Sequence, residues 1–231
     1  MGLDLYSKVE PYLGFEEEVY TLHKEYMTFI MSLELDNIID IGCGQGYLLE
    51  NLKVNDKKAF GIDLSAEQVK VCQEKGLDAK AIDLKYVEDK FDCATAVFDV
   101  LNYIHQDNLE EFLQNSANVL NKGGYFIFDV NSLFGFEEIA QGTLSLDLED
   151  KFINIDANFE NRELKTDITL FTKMENGYYS KEQDSIVQYF HTQKILNRLL
   201  SKTGFEIVEK VGFNLHSFDE SDKFIYLCKK Q

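Results

Sequence analysis

The chain has 231 residues, 45% of them hydrophobic, and its 23 basic and 41 acidic side chains leave a formal net charge of −18. That length fits one sizeable α/β domain, and the apolar fraction, with 18 Phe and 12 Tyr, excludes a disordered chain. The charge argues against nucleic acid as a partner. Affinity for a phosphate backbone needs clustered Lys and Arg, and only isolated pairs such as Lys57–Lys58 and Lys229–Lys230 occur.

Cys43, Cys72, Cys93 and Cys228 are scattered, with no Cys-x-x-Cys and no His at ligand spacing. They predict reduced, buried thiols, no metal site and a cytoplasmic setting. The start of the chain carries acids and tyrosines where a signal peptide needs a basic and then an apolar stretch. No apolar run is long enough to cross a bilayer, so no membrane partner is expected.

In chain order, Val19, Leu22, Tyr26, Phe29, Ile30 and Leu33 recur at helical spacing and predict an amphipathic helix from about Phe15 to Leu35. Asn37–Ile41 reads as a buried strand, followed by a glycine turn and a helix through Leu48, Leu49 and Leu52. Lys58–Ile62 is a second strand ending at Asp63, and Ser65 an N-cap for a helix that stops at Gly76. Asp78–Ile82 is a third strand ending at Asp83, and Phe91–Phe98 a fourth. Asp107–Leu120 is a helix closed by Lys122, Gly123 and Gly124, and Tyr125–Val130 a fifth strand. This alternation predicts a doubly wound, mostly parallel sheet.

From about Gly142 to Phe190 the helical period is lost, and Asn176-Gly177 marks a hairpin, so an antiparallel meander follows the fifth strand. A helix at about Thr192–Thr203 and strands at 205–213 and 224–230 complete the pattern at seven core strands.

The turn after the first strand reads Asp40-x-Gly42-x-Gly44-x-Gly46. A dinucleotide fold would place its third glycine at position 47, which is Tyr. Asp63, ending the second strand, can accept both hydroxyls of a ribose, and Asp83, ending the third, is placed for an adenine amino group with Leu84 beside it.

With IIDIGCGQG, GIDLSAEQV, FDVLNYI and GGYFIFDVN, the sequence resembles the class I S-adenosylmethionine-dependent methyltransferase family, most specifically over residues 37–131. The meander resembles the lid strands of its small-molecule subgroup, such as N-methyltransferases of amino sugars and of glycine. The resemblance implies a Rossmann-like sheet of seven strands whose last is antiparallel. It divides the chain into a helical segment (1–36), a cofactor-binding core (37–141), a lid (142–190) and a C-terminal completion of the core (191–231).

It also implies site roles. Gly42, Gly44 and Gly46 let the backbone approach the cofactor, Asp40 orders that loop, Asp63 binds the ribose, and Leu64 packs on the adenine. Asp83 and Leu84 take the adenine edge, and Phe98 and Asp99 lie near the methionine part and the methyl group. Acceptor contacts are expected from Asn102, Tyr103 and His105, with Asp99 and Asn131 beside them. His191 is a more remote candidate base, and Tyr6 and Tyr12 could close over the cofactor. Seven lid aromatics (Phe152, Phe159, Phe171, Tyr178, Tyr179, Tyr189 and Phe190) are expected to divide at strand spacing, half packing on the body as a lid core and the rest forming a cover that excludes water and sets acceptor choice.

The only proline, Pro11, leaves no room for the proline-containing signatures of nucleic-acid methylators. With the acidity this leaves a small-molecule acceptor, methylated on N or O, as the first expectation and a protein acceptor as the second, in a monomer or homodimer. The competing readings are an NAD(P)-linked reductase and a non-catalytic, cofactor-binding regulatory protein.

Overall fold

The computed structural model describes residues 2–216 and 218–231. The chain opens with α1 (Leu3–Val9) and α2 (Glu16–Ser32), the latter burying Leu22, Tyr26 and Ile30 on one face. Strands and helices then alternate as β1 (Asn37–Ile41), α3 (Tyr47–Val54), β2 (Lys58–Asp63), α4 (Ala66–Glu74), β3 (Ala79–Ala81), β4 (Phe91–Ala96), α5 (Gln106–Asn118) and β5 (Leu120–Asn131). A π-helical stretch, Gly135–Ala140, leads into β6 (Gly142–Asp147), β7 (Lys151–Glu160), β8 (Glu163–Lys173) and β9 (Tyr179–Tyr189). The last elements are α6 (Gln193–Lys202), β10 (Phe205–Phe213) and β11 (Lys223–Lys230).

Seven strands form one sheet in the order β10-β11-β5-β4-β1-β2-β3. All its pairings are parallel except the two made by β11, which lies between β5 and β10. Strand order reverses between β1 and β4, the position at which an open α/β sheet leaves a crevice at its carboxyl edge. Ile39, Phe126, Phe128 and Tyr226 pack with α5 and α6 on one face, while α2 covers Ile38, Ile127 and Ile225 on the other.

The meander forms a separate four-stranded antiparallel sheet, β6-β7-β8-β9. Its inward residues Ile153, Ile168, Leu170 and Ile186 pack against Leu5 and Val9 of α1, so α1 fills the space beneath the lid. The expected Asn176-Gly177 turn joins β8 to β9, with Gly177 at φ +82°.

The α5–β5 boundary differs from the expectation. The helix ends at Asn118, and Lys122-Gly123-Gly124 lies in the first part of β5, where the pairing with β4 shifts register between Phe91 and Cys93. Those glycines serve an irregular strand entry rather than a helix stop. The β7–β8 turn also left no signal in the sequence, because it places Asn161 and Arg162 at φ +54° and +69°, and Arg is not a residue that announces a left-handed turn. Among the described residues no helix is long and apolar enough to cross a membrane.

Replacing Arg162 with Gly turns this corner into Asn-Gly and removes a left-handed side chain. Arg162→Gly is expected to stabilise the protein by up to about 1 kcal/mol in urea unfolding. A loss of stability would show that the Arg162 side chain, not its backbone, secures the hairpin.

Candidate functional site

A cavity of about 1280 Å³ runs along the carboxyl edge of the main sheet and under the lid sheet. Ligand pockets usually span about 300–1,000 Å³, so this one has room for two small molecules. One end is made by the turns after β1, β2 and β3, the other by the turn after β4, by the segment before β11 and by the inner face of the lid.

At the first end, Gly42 and Cys43 donate their N–H groups to the Ile62 carbonyl at 2.8 and 3.0 Å, which folds the turn back across β2. The three glycines then serve different ends. A Cβ on Gly42 would sit 2.9 Å from Val100 Cγ2, and one on Gly46 only 2.6 Å from Leu77 Cδ1, whereas one on Gly44 would meet nothing within 4 Å. Gly44 therefore faces the cavity. Gly46 precedes the first residue of α3 and does not line the cavity; its role is close packing against α4.

Asp63 holds this turn. Its Oδ2 accepts from the Gly44 N–H at 3.0 Å and its Oδ1 from the Ser65 N–H at 2.8 Å, leaving each oxygen a further lone pair for a ligand in the cavity. Asp40 lies behind the turn, buried, with the Thr95 hydroxyl donating to its Oδ1 at 2.7 Å. Burial pushes its pKa up to about 7, the Thr95 hydrogen bond opposing and the Asp63 charge reinforcing the shift. Asp83 lines the cavity, accepts from the Lys85 N–H at 3.0 Å and pairs with the Lys85 ammonium at 3.3 Å. Leu64 and Leu84 line the same end.

At the other end Phe98 and Asp99 both take left-handed backbone, at φ +60° and +63°, a strain that must be held by their surroundings. The fully buried Asp129 of β5 holds it. Its Oδ1 accepts from the Phe98 N–H at 2.9 Å and from the Tyr26 hydroxyl at 2.7 Å, and its Oδ2 from the Asp99 N–H at 3.2 Å and the Lys223 ammonium at 3.2 Å. Lys223, buried at the start of β11, also bonds Asp99 Oδ1 and Asn131 Oδ1, so its three donors are spent within the protein. Burial raises the Asp99 pKa to about 6 despite the Lys223 charge beside it.

The expected acceptor contacts divide. Tyr103 and His105 line the cavity; burial holds the Tyr103 phenol well above its ordinary pKa. His105 also caps α5, its Nδ1 accepting from the Asp107 N–H at 3.3 Å, and stands edge-on to Tyr189. Asn102 corrects the expectation. It is fully buried, donating to the Tyr189 carbonyl at 2.8 Å and accepting from the Asn131 N–H at 3.0 Å, so its amide ties lid to core and cannot reach an acceptor. His191 is likewise buried, with Nε2 at 3.0 Å from the Leu101 carbonyl and outside this cavity, while Thr192 is the residue that caps α6.

Tyr6 lines the cavity; Tyr12 is exposed and does not. Of the seven lid aromatics only Tyr189 reaches the cavity. Phe159 and Phe190 instead pack around Phe136, and Tyr178 and Tyr179 are exposed. Strand alternation gives the cavity face to Ile155, Ala157, Leu164, Thr166, Ile186 and Gln188.

Glu18, His23, Asp129, Asp222 and Lys223 were not singled out in the sequence, although all but Asp129 line the cavity. Asp222 accepts from the Leu215 and His216 N–H groups and from His216 Nδ1, the last at 2.6 Å, shaping the loop before β11.

Two outcomes follow from the buried charges. Lys223→Met leaves Asp99 and Asp129 without their counter-charge and should cost about 3–5 kcal/mol of stability in urea unfolding; a loss near zero would show that the network carries no net charge pairing. An acid whose folded pKa lies above its ordinary value destabilises the fold as pH rises between the two, here from about 4 to about 7. The stability of Asp40→Asn relative to the wild type should therefore rise across that range. A pH-independent difference would contradict the elevated pKa.

Residues 16–210 match the family described as a methyltransferase domain. An uncharacterized protein from Methanocaldococcus jannaschii is 30% identical over 197 residues, covering 83% of this chain and 69% of that protein. Among solved structures, an S-adenosylmethionine-dependent methyltransferase from Clostridium acetobutylicum superposes with a TM-score of 0.79 at 23% identity, over 99% of this chain and 97% of that one. An amino pentose methyltransferase from Micromonospora echinaspora, solved with S-adenosylmethionine bound, gives 0.75 at 14% identity, over 98% and 97%. The chain belongs to the class I S-adenosylmethionine-dependent methyltransferase family, in a form with an antiparallel sheet inserted after the fifth strand.

Proposed function

We propose that this enzyme transfers a methyl group from S-adenosylmethionine to a nitrogen or oxygen of a small-molecule acceptor. The observation that carries the reading is the single cavity joining the Gly44–Asp63–Asp83 end to a second chamber under the lid.

The residues present suit this cofactor. Gly44 leaves open space beside the backbone, Asp63 keeps lone pairs for two ribose hydroxyls, and Asp83, Leu64 and Leu84 offer an acceptor and apolar contacts to an adenine. The cavity's lysines are already engaged, Lys85 by Asp83 and Lys223 by Asp99 and Asp129, which suits a ligand without phosphates better than a dinucleotide. Bound there, S-adenosylmethionine supplies an activated methyl group on a sulfonium centre, open to in-line displacement.

The protein's share is to align and enclose. Positioning two reactants can supply on the order of 7–11 kcal/mol of rate enhancement, so no general base is required of an acceptor that arrives neutral. Tyr103, His105 and lid residues Thr166 and Gln188 supply polar contacts for the acceptor, while Ile155, Leu164 and Ile186 exclude water. Similarity to the amino pentose methyltransferase supports amines as the first acceptors to examine. Four free, buried cysteines support a reducing, cytoplasmic setting.

The reading is tested by following S-adenosylhomocysteine release from S-adenosylmethionine with panels of amines, hydroxylated aromatics and sugars. Acceptor-dependent release is expected. NADH oxidation with no such release would overturn the reading in favour of a reductase. In calorimetric titration Asp63→Ala should bind S-adenosylhomocysteine about 1–3 kcal/mol more weakly, through lost charge-assisted hydrogen bonds. Unchanged affinity would remove Asp63 from the site.

A further inference from the structure

The nucleoside half of the cofactor has its partners in the turns after β1, β2 and β3; two cavity-lining side chains of α2 have none assigned. Glu18 lines the cavity with its Oε2 buried and without a hydrogen-bond partner among the described residues. A carboxylate oxygen cut off from water is costly unless a donor completes it.

His23, also buried and lining the cavity, approaches Asn51 through its Nδ1, 3.2 Å from the Asn51 amide nitrogen. An amide nitrogen only donates, so Nδ1 is the acceptor and the ring proton of the neutral imidazole sits on Nε2. Burial lowers the ring's pKa to about 4, so the neutral form prevails near pH 7. The Nε2–H makes no hydrogen bond among the described residues. The ring stands edge-on to Phe98, 5.9 Å between centroids, which places it between α3, through Asn51, and the strained turn after β4.

One helix thus presents an N–H donor and an uncompensated carboxylate to the same cavity, the complement of a zwitterion. We infer that Glu18 and His23 hold the amino-acid end of the cofactor, Glu18 accepting from the α-ammonium and His23 Nε2–H donating to the α-carboxylate. The inference rests on the cofactor proposed above. It makes α2 the element that selects ligands carrying an intact amino acid over the same nucleoside without one.

Three thioether ligands separate the two contacts by calorimetric titration. S-adenosylhomocysteine carries both charges, 5′-deoxy-5′-(3-aminopropylthio)adenosine carries the amine alone, and 5′-methylthioadenosine carries neither. Glu18→Gln is expected to weaken the first two about tenfold or more and His23→Leu only the first, with 5′-methylthioadenosine within about twofold of wild type in both variants. Unchanged 5′-methylthioadenosine affinity also shows that each variant is folded with its nucleoside site intact.

Equal weakening of all three ligands would mean general damage to the cavity and would overturn the inference. So would unchanged S-adenosylhomocysteine affinity in both variants, or a wild type that binds 5′-methylthioadenosine as tightly as S-adenosylhomocysteine; each of these leaves the cofactor assignment standing. Failure of the wild type to bind any of the three would remove the cofactor assignment and this inference together.

Discussion

The Asp129 carboxylate is the point on which the cavity depends. With no exposed surface, it must be satisfied by protein donors, and it collects one from the long N-terminal helix, two from the turn after β4 and one from the start of β11. These segments are remote in sequence and meet only because β4, β5 and β11 are neighbours in the sheet. The same four donors fix two consecutive residues in left-handed backbone, which carries Phe98 and Asp99 over the carboxyl edge of the sheet. An unpaired buried carboxylate would be costly, so sheet assembly and site geometry become one event.

The two sheets divide the work. The main sheet supplies a rigid edge from which short turns present backbone donors and carboxylates, while the antiparallel sheet supplies a mainly aliphatic roof. Asn102 joins them, its amide bridging the Tyr189 carbonyl of the lid and the Asn131 N–H of the core. Helix α1, packed under the lid through Leu5 and Val9, and helix α2, packed on the core through Leu22 and Tyr26, close the remaining side. The chamber under the lid is therefore built from parts far apart in the chain, and its shape belongs to the assembled domain.

What could be read from the sequence was what is local. Asp40, Gly42, Asp63 and Asp83 each sit at or just beyond a strand end, and their positions follow once the strand is recognised. Ser65 could be placed as a cap because its partner, the Gln68 N–H, is three residues away. Lys223 and Asp129 gave no such signal, since a lysine opening a strand and an aspartate within one acquire meaning only when β5 and β11 pair. Asn102 was read as an acceptor contact from its place in the motif, yet both its amide atoms are spent on backbone partners remote in the chain. The lid aromatics were expected to divide between packing and cover, but alternation leaves only Tyr189 at the cavity, and composition does not say which residue of each pair faces it. Even the glycines look equivalent in sequence, although Gly44 faces open space and Gly46 faces Leu77 and Cys72.

On the proposed function, one continuous cavity seats the cofactor between the glycine turn and the Asp129-braced turn. A crystal structure with S-adenosylhomocysteine bound tests it most directly. The ribose hydroxyls are expected within hydrogen-bond distance of Asp63, the sulfur beside Phe98 and Asp99, and open volume remaining beneath Tyr189 and Gln188. A ligand seated elsewhere, or one whose sulfur points away from the lid chamber, would contradict it.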